Sequence, residues 1–498
     1  MNDQAIEDRD AAHLTSLGYR SEFKRDMSLW ANFALGFTYL SPVVGIYSLF
    51  AVGLITGGPA MIWWLVIVGL GQLLVALIFG EIVSQYPVAG GVYPWARRLW
   101  GRKWAWMTGW VYLIALLTTI AGVVYGSGPF LAQLLDFEPG TTSTITCALI
   151  MLVLALAINL MGTKWLAVAA MIGFSAELLG ALAVGLWLLL TERHHDLGVI
   201  FTTEGVGGNG GYLAAFMAAA LIGIYQYYGF EACGDVAEEV PDPTRRIPKA
   251  MRMTIYIGGA AAIFVCLSLL LAVSDYAAVI SGADPDPVTT VLHAAFGETG
   301  TKVVLLVVMC SFLSCALSLM AAASRLMYAY ARDDMIMGSH LLRKFNTRRH
   351  VPPYAMLVGA AVPAVIVLGS IFSEKALTSI ISFATLGIYL GFHMVTFAAL
   401  RARLKGWVPN GPFNLGRWGM TINIAALAYG LLAMINMAWP RTPDAPWYDN
   451  WLVALSAAVG VGVGAIYLVT ARRHERSNAA HGDATASAER EKVAVHGD

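Results

Sequence analysis

Apolar residues in this chain gather in long runs, separated by short polar stretches that hold most of the charge. A helix needs about 20 apolar residues to cross a hydrocarbon core of about 30 Å. Twelve runs reach that length, near 30–56, 60–85, 104–133, 142–163, 165–190, 212–237, 249–273, 303–330, 353–373, 376–400, 418–439 and 450–471. Several of them, Trp104–Gln133 and Val351–Ser373 included, contain no Asp, Glu, Lys or Arg. The pattern predicts an all-α polytopic membrane protein with twelve transmembrane helices. An even count returns both termini to one side, with polar tails over 1–28 and 474–498 that read as disordered.

Charge orients these spans. With the N-terminus inside, 28 of the 32 Lys and Arg fall in inside segments, and only Arg193, Lys302, Lys375 and Arg441 fall outside. Cytoplasmic loops carry such an excess of cations, so both termini are expected in the cytoplasm and the protein in the cytoplasmic (plasma) membrane. The N-terminus has no basic region ahead of a short apolar core, so the first span is expected to act as the insertion signal.

Composition narrows the class. Only 13% of residues are charged, about half the roughly 25% of soluble domains, and AVILMFWYC make up 58%. Charges of 32 and 32 cancel to zero, which gives no sign of nucleic-acid binding. The five cysteines all lie in apolar runs, without zinc or disulfide spacing, and read as small buried hydrophobes. No Gly-rich Lys loop offers a nucleotide site. No His/Asp cluster within the spans suggests catalysis, so neither an enzyme, a metal nor a cofactor is expected, and the lipid bilayer is the solvent.

Two spans carry helix breakers near mid-depth. Span 1 reads Ser41-Pro42-Val43-Val44-Gly45-Ile46, and span 6 reads Tyr225-Gln226-Tyr227-Tyr228-Gly229-Phe230-Glu231. Pro removes an amide donor and Gly permits non-helical angles. Spans 1 and 6 open two successive groups of five, and an odd number per group inverts the second. Breaks at matching positions of inverted repeats mark a transporter's substrate site, because freed backbone groups are tolerated in lipid only where they line a polar cavity. The chain divides on this basis into repeats at 29–190 and 191–400 and a C-terminal pair at 401–473. Near its end, Gly460-Val461-Gly462-Val463-Gly464 suits close helix contact, either internally against span 11 or across a homodimer through spans 11 and 12.

The loop after span 2 (Glu81, Tyr86-Pro87, Gly90-Gly91, Tyr93, Arg97-Arg98) resembles a signature of the amino acid/polyamine/organocation permeases. So do Gly229-Phe230-Glu231 with Glu238-Glu239, and Ser324-Arg325 with Tyr328, Arg332 and Asp333. Gly411-Pro412-Phe413 and Leu415-Gly416 are similar to the branch that carries amino acids, choline and 4-aminobutyrate. The resemblance implies a five-plus-five inverted repeat with discontinuous helices 1 and 6, two further C-terminal helices and alternating access. One departure stands out: span 1 lacks the Gly-Ser-Gly run that offers amides to a substrate carboxylate in many relatives. Pro42 cannot donate there, so ω-amino acids, choline-like molecules and polyamines stay open beside α-amino acids.

Ionisable groups at this depth are functional candidates. Glu177, midway along span 5, occupies what looks like the place of a titratable lysine in proton-coupled members. It would carry the proton, or brace span 5 against span 1. Glu231 would hold a substrate amine or cap freed amides of span 6. By resemblance Phe230 would be an aromatic lid and gate. Glu81 and the Asp235, Glu238 and Glu239 group would form inner-gate salt bridges with loop arginines. Ser41 to Ile46, Thr119 and Tyr228 to Glu231 form the expected substrate site, while His393 reads as a hydrogen-bonded packing residue. The expected function is a secondary active transporter that imports an amino acid or related amine with protons. The alternatives are an obligate exchanger and a choline, polyamine or 4-aminobutyrate transporter.

Overall fold

The computed structural model describes residues 3–207, 211–372, 376–441, 446–477 and 479–484. Among these the chain is helical, with one isolated bridge between Asn346 and Val351 and no β-strand. Among the described residues eleven helices are long and apolar enough to cross a membrane, and they coincide with the expected spans 1–5 and 7–12. Span 6 is not a continuous helix. It forms two short helices, Tyr212–Ala218 and Leu221–Gln226, an open stretch, and a last turn at Ala232–Asp235.

Span 3 (Arg102–Leu134) occupies the middle of the bundle, with 83% of its most apolar stretch buried, against 6% for span 12 (Leu452–Ala471). It packs on span 10 (Ala376–Leu404), span 8 and span 4 (Thr141–Leu160). Span 8 belongs to a helix running over Pro287–Arg332 with a kink at Gly297. Its first turns were missed because His293, Glu298 and Lys302 interrupt the apolar pattern there. Span 7 carries a π-helical turn at Thr254–Gly258. Gly258 at the end of that turn faces Leu40, and Gly259 just beyond it faces Tyr227, so the turn lies against both helix breaks. Such turns often mark functional positions.

Two expectations need correcting. The N-terminal tail is not disordered over its described part: Asp3–Ser16 is a helix. Leu14 and Leu17 are buried, Asp10 Oδ2 accepts from the Asp242 amide at 2.7 Å, and Arg9 pairs with Asp242 at 2.7 Å. Tyr19 bonds Asp333 at 3.0 Å and Arg97, while Asp483 from the C-terminal tail pairs with Arg98 at 2.7 Å. Both tails therefore pack on one face of the bundle, here called the tail face; residues 1–2 and 485–498 lie outside the described residues. The glycine run of span 12 packs on span 3 rather than span 11. Trp110 Nε1 donates to the Gly460 carbonyl at 2.9 Å, and a Cβ at Gly464 would sit 2.4 Å from the Trp110 ring.

Candidate functional site

Span 1 breaks at Ser41, between helices Leu29–Leu40 and Pro42–Gly57. Ser41 has φ +39°, a backbone region that non-glycine residues adopt at a cost of order 1–3 kcal/mol. The break is closed by the protein's own groups. Ser41 Oγ donates to Glu177 Oε1 at 2.7 Å, and the Val43 amide donates to the same oxygen at 3.0 Å. The Val44 amide is taken by Ser41 Oγ at 3.1 Å and the Gly45 amide by the Ser41 carbonyl at 3.0 Å. Pro42 has no amide to offer. Every donor at the start of the second half-helix is thus occupied, with a carboxylate placed where the helix dipole favours negative charge. Across the gap, Gln226 Nε2 donates to the Leu40 carbonyl at 3.1 Å.

Span 6 opens beside this break. Gly229 has φ +116°, and a Cβ there would stand 2.6 Å from the Leu40 amide nitrogen, so close approach and left-handed backbone both require glycine. Glu231 Oε2 accepts from the Gly229 amide at 2.7 Å, and Tyr112 of span 3 donates to Oε1 at 3.1 Å. Glu231 therefore caps the break, the second of its two expected roles. Asp235 is fully buried with no hydrogen bond at either carboxylate oxygen, and Glu177 Oε2 is likewise unpartnered. Glu177, Glu231 and Asp235 form no ion pair among the described residues.

Between the two breaks lies a closed cavity of about 10 Å³, near the minimum of about 10–15 Å³ that one water needs. It is lined by Val44, Gly45, Thr119 and Tyr228 of the expected set, and by Tyr39 and Tyr225. Ser41, Pro42, Val43, Ile46, Gly229, Phe230 and Glu231 do not line it; they form its supporting shell. Phe230 packs on Phe79 and Phe392, with ring centroids 5.9 and 5.5 Å away. Toward the face opposite the tails, a second cavity of about 340 Å³ lies beside Val52, Thr56, Ile222, Thr378 and Ser382.

The tail face is locked by charge. Arg325 and Glu239, both fully buried, make a two-pronged pair at 2.8 and 3.2 Å. Arg332 and Glu238 do the same at 2.9 and 3.2 Å. Arg97 pairs with Asp333. Glu81 pairs with Arg403 and accepts from the Leu415 amide at 2.8 Å, which ties span 2 to the ends of spans 10 and 11. Asp235 stands apart from these pairs, contrary to the expectation that grouped it with Glu238 and Glu239. His393 is buried, but neither ring nitrogen finds a hydrogen bond; it packs on Tyr389, Tyr429 and the backbone at Gly430.

The sequence reading passed over Tyr39, Tyr112, Tyr225 and Gln226. For Gln226 a signal existed, since an uncharged polar side chain beside a glycine-rich break is costly in lipid unless bonded. Tyr112 gave none, because its neighbours in span 3 are apolar and its partner lies on another span.

Two interrupted helices facing each other across a closed cavity, inside a bundle locked by ion pairs on one face, define a membrane transporter. The chain belongs to the amino acid permease family, whose profile matches residues 27–463. It is 28% identical over 472 residues to the amino-acid permease BAT1 homolog of Oryza sativa subsp. japonica, covering 88% of this chain and 90% of that one. It is also 28% identical to amino-acid permease BAT1 of Arabidopsis thaliana, covering 91% and 94%. The choline transporter of Saccharomyces cerevisiae is 24% identical, covering 87% and 79%. Among solved structures, a manganese transporter of Eremococcus coleocola superposes with TM-score 0.59 at 14% identity, covering 90% of this chain and 94% of that one. That likeness concerns the fold alone.

Proposed function

We propose that this permease imports a small solute bearing a protonated amine, an amino acid or a related amine, by alternating access coupled to protons. The observation that carries the reading is the filled break of span 1. With the amides of Val43, Val44 and Gly45 all occupied, a substrate carboxylate finds no donor there. Glu177, Glu231 and Asp235 are buried without a cation among the described residues, and the rings of Tyr39, Tyr225 and Tyr228 line the cavity; together they favour an ammonium group instead. Polyamine, choline-like and 4-aminobutyrate substrates fit this rule as well as amino acids do.

In this reading the tail face is cytoplasmic, and spans 1, 2, 6 and 7 rock against the remainder. The Arg325–Glu239, Arg332–Glu238 and Glu81–Arg403 pairs are the inner lock, and Phe230 closes the inner side of the site. Glu177 carries the proton: it holds span 1 through Ser41 and Val43, so a change in its charge acts directly on the break. A second reading, an obligate exchanger in which Glu177 is only a brace, draws on the same two hydrogen bonds. A homodimer through spans 11 and 12 would use the face of Gly462, which no other group approaches within 4 Å among the described residues.

The test is uptake by the purified protein in proteoliposomes across amino acids, 4-aminobutyrate, choline and polyamines, with and without an inward proton gradient. Saturable uptake of at least one amine, accelerated by the gradient, is the expected result. Uptake of none, or of carboxylates without an amine, would overturn the proposal.

A further inference from the structure

A far larger cavity than the one at the helix breaks lies elsewhere in the bundle. A groove of about 1050 Å³ lies between spans 2, 6 and 11, on the half of the bundle away from the tails. That volume is at the upper end of the roughly 300–1,000 Å³ of small-molecule sites. Its walls include Trp64, Val68, Leu213, Ala433 and Tyr429, and its rim holds Trp439 and Arg441. From Tyr429 to Trp439 is ten residues of helix, about 15 Å at 1.5 Å per residue, or half of a hydrocarbon core of about 30 Å. The groove thus has the depth of one leaflet. Trp439 stands at its outer end, where aromatic side chains favour the membrane–water interface.

The polar end is cationic. Arg441 Nη2 donates to the Asn436 carbonyl at 2.7 Å and to Asn436 Oδ1 at 2.5 Å. It also reaches the Met217 carbonyl at 3.4 Å, which Asn436 Nδ2 holds at 2.8 Å. Among the described residues all of these acceptors are neutral, which leaves the charge of the guanidinium for an anion, and its fork suits phosphate oxygens. Met217 lies in the outer part of span 6, just ahead of the interruption at Ala219–Ala220, so a ligand on Arg441 acts on a carbonyl of the broken helix.

The geometry points to a bound phospholipid: one anionic lipid of the leaflet opposite the tails, its acyl chain in the groove and its phosphate on Arg441. A neighbouring copy of this chain fits less well, because the cavity is a concave slot with a cation at one end rather than a flat helix face. The inference does not depend on which solute the permease carries.

Native mass spectrometry of the purified full-length protein, titrated with phosphatidylglycerol and with phosphatidylcholine, tests it. The wild type is expected to retain one phosphatidylglycerol in preference to phosphatidylcholine. Arg441→Gln should weaken phosphatidylglycerol retention by about tenfold, the scale of one charged hydrogen-bond contact, while Arg441→Lys should keep most of the preference. Ala433→Trp, which fills the groove, should release both lipids alike. A control on the exposed side of span 5, Leu190→Ala, should change neither. Retention unaffected by both Arg441→Gln and Ala433→Trp would overturn the proposal. So would binding of free glycerol 3-phosphate with equal strength in wild type and Ala433→Trp, or protection of the groove only on dimerisation.

Discussion

Glu177→Gln is expected to abolish the acceleration of uptake by an inward proton gradient while leaving exchange of substrate across the membrane intact. The amide retains an oxygen in the place of Oε1, so Ser41 Oγ and the Val43 amide keep their acceptor and the break in span 1 keeps its shape. What is lost is the ability to change charge. Glu177→Leu separates this effect from a mechanical one. It leaves a buried hydroxyl and a buried amide without a partner, at about 1–3 kcal/mol each, and is expected to lose both net uptake and exchange. The comparison is read from initial rates in proteoliposomes, at symmetrical pH and with the lumen alkaline. If Glu177→Gln still responds to the gradient as the wild type does, Glu177 is a brace and the exchanger reading gains.

The second large effect belongs to the inner lock. Arg325→Met is expected to destabilise the protein by about 3–5 kcal/mol, because it strands the Glu239 carboxylate in a fully buried place. Adding Glu239→Gln should recover most of that loss, since removing both charges of a buried pair is often close to neutral. Thermal unfolding of the detergent-solubilised protein checks both variants. In the recovered double variant the tail face should open more readily, and a cysteine introduced beside the Arg97–Asp333 pair should label faster. A single variant as stable as wild type, or a double variant no better than the single, would remove the pair from the lock.

The spans and the two breaks were legible because hydrocarbon imposes a simple rule on the chain: long apolar runs, with breakers only where a cavity accepts them. Pro42 and Gly229 obey it, and both breaks stand where they were expected. Partners across the bundle were not legible. Glu177 lies 136 positions from Ser41, and no periodicity within span 5 or span 1 says which amide its oxygen will meet. The glycines of span 12 show the same limit: their spacing announces close packing, but the shape of Trp110 on span 3 decides against what. The N-terminal helix was missed for a different reason. Its residues are polar on their own, and order comes from Asp10 and Arg9 finding Asp242, a contact only the folded bundle supplies. Asp235 was grouped with its acidic neighbours by sequence, yet the turn at Ala232–Asp235 leaves it without the arginine partners that Glu238 and Glu239 find.

The filled amides of span 1 are tested most directly by pairs of solutes that share an amine and differ in an α-carboxylate, such as cadaverine with lysine or putrescine with ornithine. Uptake and mutual competition are measured in wild-type proteoliposomes at one pH. Recognition through the amine requires that the partner without the carboxylate compete at least as well as the amino acid. An absolute requirement for the α-carboxylate, with the bare amines inert, would contradict the central claim that Glu177 and Ser41 already occupy the anion-binding end of the broken helix.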